Sequence, residues 1–557
     1  MAGLAAVLAA CLIRISTSQA TPLLQQIDSP ALLEAHPPAR ALTGGAWMDV
    51  DGDGDLDFVM SGDPEEGVHV RWLENGGPGE GFVARILDGD VEGLDGGPSI
   101  LGSRAVTLAA DFNNDGLADL YTSGCTNSRG IGHPLNCSTG VFYEALGGGR
   151  FKAHLANGLK PVVNEWSGAA GDVDGDGLLD LFVGEALPMT NNVDLKGVHT
   201  NKLYINKGNF SFEDSGIDVD NPSTCVSTFV DVDLDGRQDL ITASCNLISI
   251  ENGTVDIIPG PIRLMRNTLG ETAQVSFEDA TESVFGKLEE GLWMGVAMAD
   301  LNGDGRVDFF FGQTGDPEKS QQHLLLVSAP DGAYINESLS SGLAWHEFNW
   351  GSDFVDLDND GDADLVTVGS LIGAPMWLGL RNPGRMFVND GSGSFRPSQG
   401  DLGLGDKFCS GLATADYDED GSQDVMVVCS SAQGSADEDV FTGEPGLYLF
   451  QGTARGDRHV GVALEGSDSN RMGVGALVRI CPEGGGEGTC QGRVVAAGSS
   501  FASSHSPVVH FGVAEPAVAV NLSVVWPSGK VDDFGGLAVG DRYTVRESGG
   551  LVKMGIL

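Results

Sequence analysis

A nine-residue acidic pattern occurs seven times in this chain of 557 residues. Each copy carries Asp or Asn at positions 1, 3, 5 and 9 and Gly at position 6, as residues 172–180 (DVDGDGLLD) illustrate. Short oxygen-bearing side chains at alternate positions, followed by a glycine that permits a sharp turn, are the way a loop presents ligands to Ca²⁺. An apolar run follows each copy, so the pattern indicates a calcium loop between two strands rather than between two helices.

The sequence predicts that these loops, numbered 1 to 7 along the chain, bind up to seven Ca²⁺ ions. Asn113 and Asn302 keep an oxygen donor but lower the local charge, so weaker binding is expected in loops 2 and 5. The predicted ligands are Asp49, Asp51, Asp53 and Asp57; Asp111, Asn113, Asp115 and Asp119; Asp172, Asp174, Asp176 and Asp180; Asp231, Asp233, Asp235 and Asp239; Asp300, Asn302, Asp304 and Asp308; Asp356, Asp358, Asp360 and Asp364; and Asp416, Asp418, Asp420 and Asp424.

The spacing of the loops predicts the architecture. Successive loops start 62, 61, 59, 69, 56 and 60 residues apart, and a second signature, a strand followed by an Asn/Gly turn and an aromatic residue, recurs between them. One repeat therefore contains four antiparallel strands, which is typical of a β-propeller blade. We expect an all-β fold, a seven-bladed propeller over residues 41–455. A β-helix or a string of sandwich domains is the alternative, although sandwich domains need about 100 residues each.

The loops, together with hairpins such as LYINKGNF at residues 203–210, resemble the FG-GAP/VCBS repeat family. That resemblance implies a seven-bladed propeller like the head of integrin α-subunits, with calcium in the blade loops. Residues 456–548 carry different motifs, including SNRMGVG at 469–475, HFG at 510–512 and WPSG at 526–529. This set resembles the ASPIC/UnbV domain of cartilage acidic protein and its bacterial relatives. It departs from that family at Ala514, where the family usually has a second glycine after the His-Phe-Gly motif. Residues 549–557 are expected to be a tail.

Residues 1–20 contain an apolar stretch and the small-x-small site Ser18-Gln19-Ala20, which predict a signal peptide and secretion. An irregular lead-in is expected at 21–40. Eight cysteines remain after such a signal and form four local pairs. The two middle pairs flank loops 4 and 7, so the two cysteines of each pair are placed opposite each other on neighbouring strands of a hairpin. The predicted disulfides are Cys125–Cys137, Cys225–Cys245, Cys409–Cys429 and Cys481–Cys490, and the sequons Asn136, Asn209, Asn252, Asn336 and Asn521 agree with an extracellular glycoprotein.

Composition excludes several partners. A net charge of −48 argues against binding to nucleic acid or to anionic membrane surfaces. Outside the predicted signal, the chain has no run of 18 apolar residues, so no membrane span is expected.

For the other candidate residues, the sequence context favours a structural role over a functional one. His510 lies in an apolar strand without a nearby acid or cysteine. Arg455-Gly456-Asp457 spells an integrin-recognition tripeptide but lies at a domain junction. The tryptophans near the loops are expected between blades, with a sugar-stacking surface as the alternative; they are Trp47, Trp166, Trp293, Trp345 and Trp350.

The predicted function is that of a secreted calcium-binding module for extracellular binding, adhesion or matrix assembly, and not an enzyme. The partner is expected to be an extracellular protein or glycan, and insertions at 183–201 and 429–446 are expected to confer specificity. The alternative is a glycan-binding lectin or a glycan-active enzyme that uses the propeller face. Fold alone does not decide between these functions.

Overall fold

The structure, a computed structural model, describes residues 22–34, 43–61, 70–77, 80–86, 91–92, 106–123, 139–160, 165–186, 201–217, 219, 221, 223–245, 247–251, 254–270, 274–313, 322–370, 382–431 and 442–554. Within these ranges the protein is all-β, with most strands in antiparallel sheets of four. The predicted signal (1–20), Cys125, Cys137, Asn136, Asn252 and most of the two long insertions lie outside the described residues.

Seven sheets, numbered I to VII, follow one another along the chain. Strand β1 (Leu24–Ile27) and helix α1 (Pro30–Glu34) precede them. Sheets I to III comprise β2 (Gly45–Met48), β3 (Asp57–Ser61), β4 (Val70–Asn75) and β5 (Phe82–Ile86); β6 (Val91–Glu92), β7 (Thr107–Ala110), β8 (Asp119–Thr122), β9 (Val141–Ala145) and β10 (Phe151–His154); and β11 (Glu165–Gly171), β12 (Asp180–Glu185), β13 (Lys202–Asn206) and β14 (Phe212–Asp214).

A separate two-stranded hairpin is inserted between the second and third strands of sheet IV. The sheet comprises β15 (Thr224–Val230), β16 (Asp239–Ser244), β19 (Ile262–Asn267) and β20 (Phe277–Asp279), the hairpin comprises β17 (Leu247–Glu251) and β18 (Thr254–Ile258), and helix α2 (Thr281–Phe285) follows. Sheets V to VII comprise β21 (Trp293–Ala299), β22 (Asp308–Gln313), β23 (Leu324–Ser328) and β24 (Tyr334–Asn336), with helix α3 (Ser338–Ser341) after them; β25 (Gly351–Val355), β26 (Asp364–Gly369), β27 (Asn382–Asn389) and β28 (Phe395–Pro397); and β29 (Phe408–Ala415), β30 (Asp424–Ser430) and β31 (Gly446–Gly452).

The seven sheets form a ring, and the fold is β-propeller-like. The strands of each sheet are counted from the centre of the ring, so β7 is the first strand of sheet II and β6 its fifth. Each first strand contacts the first strand of the next sheet, in the order β2, β7, β11, β15, β21, β25 and β29, and β29 contacts β2 again. Small residues permit this close approach at the centre: a Cβ on Gly171 would lie 2.8 Å from the Phe229 ring of the neighbouring sheet. The small-residue runs before each loop therefore belong to the inner strands.

Strand β1 is the fourth strand of sheet VII, where Leu24 pairs with Gly452 and Ile27 with Leu449. The sequence predicted an irregular lead-in at 21–40, and the structure instead has β1 and α1 within it. The reason is burial, because Leu24 and Leu32 have exposed fractions of only 6% and 2%. The last strand similarly extends into the predicted tail at 549–557.

Two further sheets make up the C-terminal domain. Their strands are β32 (His459–Glu465), β33 (Leu477–Pro482), β34 (Gln491–Val494), β35 (Val509–Gly512), β36 (Ala519–Val525), β37 (Val531–Ala538), β38 (Asp541–Arg546) and β39 (Gly550–Lys553). The strand orders are β35-β32-β38-β39 and β34-β33-β36-β37. Buried residues of this domain, including Trp526, belong to one apolar cluster with Trp350 of the ring.

A segment of the C-terminal domain occupies the middle of the ring. Residues 497–506, named the plug segment, hydrogen-bond to the first strands of six of the seven sheets. The bonds are Trp47 N to Ser504 O, Thr107 N to Ala502 O, Ala170 N to Ala497 O, Ser500 N to Val296 O, Ser352 N to Ser500 Oγ and Ser506 N to Thr414 O, at 2.8 to 3.3 Å. Phe501 is fully buried, with its ring 4.6 Å from that of Trp350. The C-terminal domain and the ring thus share one core.

Three of the four predicted disulfides are confirmed, Cys225–Cys245, Cys409–Cys429 and Cys481–Cys490. Cys409 and Cys429 are directly paired in the ladder between β29 and β30, as expected for cysteines on either side of a loop. In the described part of the chain, no helix is long and apolar enough to cross a membrane.

Candidate metal centre

All seven acidic loops connect the first strand of a sheet to its second. Position 9 is in every case the first residue of the second strand. Because neighbouring strands are antiparallel, these loops and the ends of the third strands lie on one face of the ring, named the loop face. The ends of the second strands and the starts of the third strands lie on the opposite face.

The aspartate at position 1 organises each loop. Its carboxylate accepts the backbone N–H of the glycine at position 6 at 2.7 to 3.2 Å in all seven copies. Positions 4 and 6 both adopt positive φ, including Leu234 at 61° and Glu419 at 58°. The glycine at position 6 therefore meets a backbone requirement, and the resulting turn directs several oxygens toward one point.

The aspartate at position 9 has a second task that the sequence reasoning missed. One oxygen accepts the backbone N–H of position 2 at 2.8 to 3.1 Å. The other accepts the N–H of the last residue of the third strand at 2.7 to 2.9 Å. These seven side chains therefore join each loop to the third strand, whether or not they also contact an ion.

A recurrent asparagine links neighbouring loops. Asn206 ends β13, and its Nδ2 donates to Leu179 O of its own loop and to Phe112 O of the preceding loop. Asn75 and Asn267 make the equivalent pair of bonds. The sequence reasoning assigned such asparagines to turn formation; their recurrence directly before Lys-Gly, Gly-Gly or Thr-Leu was the available signal. The loops are thus cross-connected around the ring.

The electrostatics of the loops suit a cation. Burial raises the pKa of Asp57 and of Asp119 to about 8, although each accepts two backbone N–H bonds. At position 1, burial is also the main cause that raises the pKa of Asp356 and of Asp416 to about 7. Buried carboxylates clustered in this way repel one another, and a divalent ion would relieve both the repulsion and the cost of burial.

The geometry brings the predicted ligands together in most loops. In five of them, three carboxylates each contribute an oxygen to a group whose members lie within 4.8 Å of one another. The groups are Asp49, Asp51 and Asp53; Asp172, Asp174 and Asp180; Asp231, Asp233 and Asp239; Asp356, Asp358 and Asp360; and Asp416, Asp418 and Asp424. These oxygen-only donor sets fit Ca²⁺, which prefers carboxylate, amide and carbonyl oxygens.

Loops 2, 4 and 5 differ from the rest. In loops 2 and 5, position 3 is an amide, so Asn113 and Asn302 lower the charge of their loops. Their Oδ1 accepts the backbone N–H of position 5 at 3.0 Å, a bond that Asp51 and Asp418 also accept in loops 1 and 7. In loop 4, Arg237 pairs with Asp235, and Arg266 lies 3.9 Å from Asp233. These arginines partly neutralise loop 4, a feature that the sequence reasoning overlooked.

The C-terminal domain covers the loop face and contacts loops 2 to 7. Asp300 N donates to Gly492 O at 3.0 Å, and Arg479 Nη2 donates to Gly303 O at 2.7 Å. The other contacts are Arg471 N with Asn114 Oδ1, Asp468 O against Gly177, Gln238 Nε2 with Gly475 O, Ala514 against Gly361, and Arg542 with Glu419. Most of the acidic loops are therefore an interdomain surface.

The remaining candidates have mainly structural environments. His510 stacks on His459, its Nε2 lies 3.2 Å from Gly421 O, and burial lowers its pKa to about 3. Arg455 forms ion pairs with Asp457 at 3.0 Å and with Glu515 at 2.6 Å. The two charged side chains of the tripeptide therefore pair with each other. Trp47, Trp293 and Trp350 are buried between sheets, whereas Trp166 and Trp345 are half-buried.

Comparison with known proteins identifies both parts of the chain. The FG-GAP-like repeat family matches residues 49–122 and 356–427, and the FG-GAP repeat family matches residues 166–202. The ASPIC and UnbV family matches residues 466–552. No curated protein matches the chain.

Two solved structures show distant similarity. The exotype rhamnogalacturonan lyase YesX is 12% identical, with 72% of each chain covered and a TM-score of 0.35. AofleA from Arthrobotrys oligospora is 9% identical, with 66% of this chain and 87% of that chain covered and a TM-score of 0.32. Neither score supports an argument about function. The family matches, however, agree with the loops and the motifs: the chain carries FG-GAP repeats followed by a C-terminal ASPIC and UnbV domain.

Proposed function

We propose that this chain is a secreted, calcium-binding, seven-bladed β-propeller that serves as an extracellular binding, adhesion or matrix module. The observation that carries this proposal is the sevenfold repetition of one loop geometry with buried, mutually repelling carboxylates. We further propose that the propeller spans residues 41–455 and the second domain residues 456–548. Calcium would be held by the side chains at positions 1, 3, 5 and 9, and it would fix the connection between the first two strands of each blade.

Secretion is supported by the three disulfides, because such bonds persist in oxidising compartments. The sequons within the described residues are also accessible, since Asn209, Asn336 and Asn521 are all exposed. Both features agree with the apolar segment at residues 1–20.

We propose that the principal partner binds the face opposite the loop face. Within the described residues, the contacts of the C-terminal domain with the ring that are shown lie at loops 2 to 7 and along the plug segment, so we infer that the opposite face is available to a partner. The second strands end there and the third strands begin there, including β12 and β13 and also β30 and β31, and connections between strands carry specificity in rigid scaffolds. The partner would be an extracellular protein or glycan.

A non-enzymatic role is the better supported one. An enzyme that used the central channel would need a group of catalytic side chains there, and the plug segment occupies the middle of the ring with hydrogen bonds to six sheets, five of them between backbone groups. The carboxylates grouped on the loop face are accounted for by the metal loops.

A calcium titration of the purified mature protein tests the proposal. Ions that bind only the folded state must raise its melting temperature. We expect close to seven Ca²⁺ per chain, with weaker uptake by loops 2, 4 and 5, and a large rise in melting temperature. A bound stoichiometry near zero, with an unchanged melting temperature, would refute calcium binding and leave the loops as acidic turns.

A further inference from the structure

A cleft of about 540 Å³ opens between sheets V and VI and the C-terminal domain. The ring side is formed by loops 5 and 6 and by the turn at 391–394, and the other side is formed by residues 488–493. This volume is within the range of small-molecule sites, about 300–1,000 Å³. The cleft lies on the loop face and is separate from the surface proposed above for the principal partner.

Two buried residues of β34 line the cleft, and each has an unpaired polar atom. Gln491 Oε1 and Arg493 Nη2 are both buried without a hydrogen-bond partner, and the two residues have exposed fractions of 6% and 9%. The orientation of the Gln491 amide follows from its other contact, because Nε2 donates to Gly512 O at 2.8 Å. The free atoms are therefore one acceptor and one donor, separated by one residue on the same face of a strand.

A carboxylate also borders the cleft. Asp362, at position 7 of loop 6, lines the ring side, and none of its described neighbours forms an ion pair with it. The glycine of the adjacent turn makes room for it, since a Cβ on Gly391 would lie 2.5 Å from Asp362 Oδ2. Leu301 and Val327 add half-buried apolar surface to the same wall.

This combination of groups defines the ligand class. Two acceptors and one donor are satisfied together by hydroxyl groups, each of which both donates and accepts. An acidic ligand would meet Asp300, Asp362 and Glu337, and a ligand with only cationic groups would offer no acceptor to Arg493 Nη2. Leu301 and Val327 suit the C–H face of a sugar ring. We propose that this cleft binds a neutral sugar of one or two rings, an inference that rests on the proposed binding role and adds a second site to it.

The experiment measures binding of neutral mono- and disaccharides, such as galactose, N-acetylglucosamine, lactose and cellobiose, to the full chain in saturating calcium. Titration calorimetry and saturation-transfer NMR are the readouts. Asp362→Asn removes one acceptor charge, and Val327→Phe fills the cleft from its apolar side. Asp55→Asn is the matched control, because Asp55 occupies position 7 of loop 1 and lies against Gly77 in the same way but outside the cleft.

We expect at least one neutral sugar to bind, with affinity about tenfold lower in each cleft variant and unchanged in Asp55→Asn. Binding that all three variants leave unchanged would place the sugar site elsewhere and overturn the inference. Capture of a lysine-rich peptide in place of any sugar, lost in Asp362→Asn, would overturn it in favour of a cationic ligand. If about seven Ca²⁺ bind while no sugar does, this inference fails and the calcium-binding module stands.

Discussion

Replacing Phe501 by alanine tests whether the plug segment holds the two parts of the molecule together. Phe501 is 0% exposed, and its ring lies 4.6 Å from Trp350, which itself packs against Trp166 and Phe348. Truncation of a fully buried phenylalanine costs about 3–5 kcal/mol, because the apolar contact is lost and a cavity remains. Since the surrounding first strands are fixed by their own sheets, little collapse is possible, and we expect a loss of about 4 kcal/mol.

The assay is denaturant unfolding in saturating calcium, followed by tryptophan fluorescence. Leu339→Ala is the control, because Leu339 is 78% exposed on α3 and its truncation is expected to change stability by less than about 0.5 kcal/mol. Limited proteolysis gives an independent readout, since a loosened C-terminal domain exposes the junction between β31 and β32. A loss below about 1 kcal/mol for Phe501→Ala, with unchanged proteolysis, would refute the view that the plug joins the domains.

Three further predictions concern the loops. Asp300→Asn, in a loop that the C-terminal domain contacts, is expected to lose one Ca²⁺ and to increase cleavage at the domain junction, whereas Asp49→Asn in loop 1 should lose one Ca²⁺ without increased cleavage. Equal cleavage in both variants, measured by gel after timed proteolysis, would contradict the interdomain role. Arg237→Ala should strengthen calcium binding by loop 4, because it removes the cation paired with Asp235; unchanged affinity by calorimetry would contradict this. In calcium-free buffer, the melting temperature should fall as pH rises from about 5 to about 8, because burial raises the pKa of Asp57 and Asp119 to about 8 in the folded state while the unfolded chain keeps ordinary values. Saturating calcium should reverse that trend, since protons then compete with the ion, and a rise with pH in both buffers would contradict the argument.

The loops and the blade pattern were predictable from the sequence because their constraints are local. Glycine at position 6 and carboxylates at alternate positions predict a turn that depends on nine consecutive residues alone. The pairing of Cys409 with Cys429 is predictable because each lies a similar number of residues from the same loop, on adjacent strands. The plug segment was not predictable in this way. Gly498-Ser499-Ser500-Phe501 looks like an exposed turn until the ring around it exists, because its partners come from six sheets spread across the chain. The pairing of Arg237 with Asp235 likewise depends on side-chain direction rather than on spacing.

The pairing of β1 with β31 has a consequence for how this protein is made. The two strands are separated by about 420 residues, so at ordinary synthesis rates β1 waits about 20 to 85 s for its partner. During that time sheet VII cannot be completed, and an unpaired strand edge is open to pairing with another chain. The final closure therefore waits until β31 has been made and joins strands that are far apart along the chain, with loop entropy against it. Biogenesis of this protein should consequently depend on chaperones that shield strand edges, and fusions placed close before Leu24 should lower its yield more than fusions after Lys553.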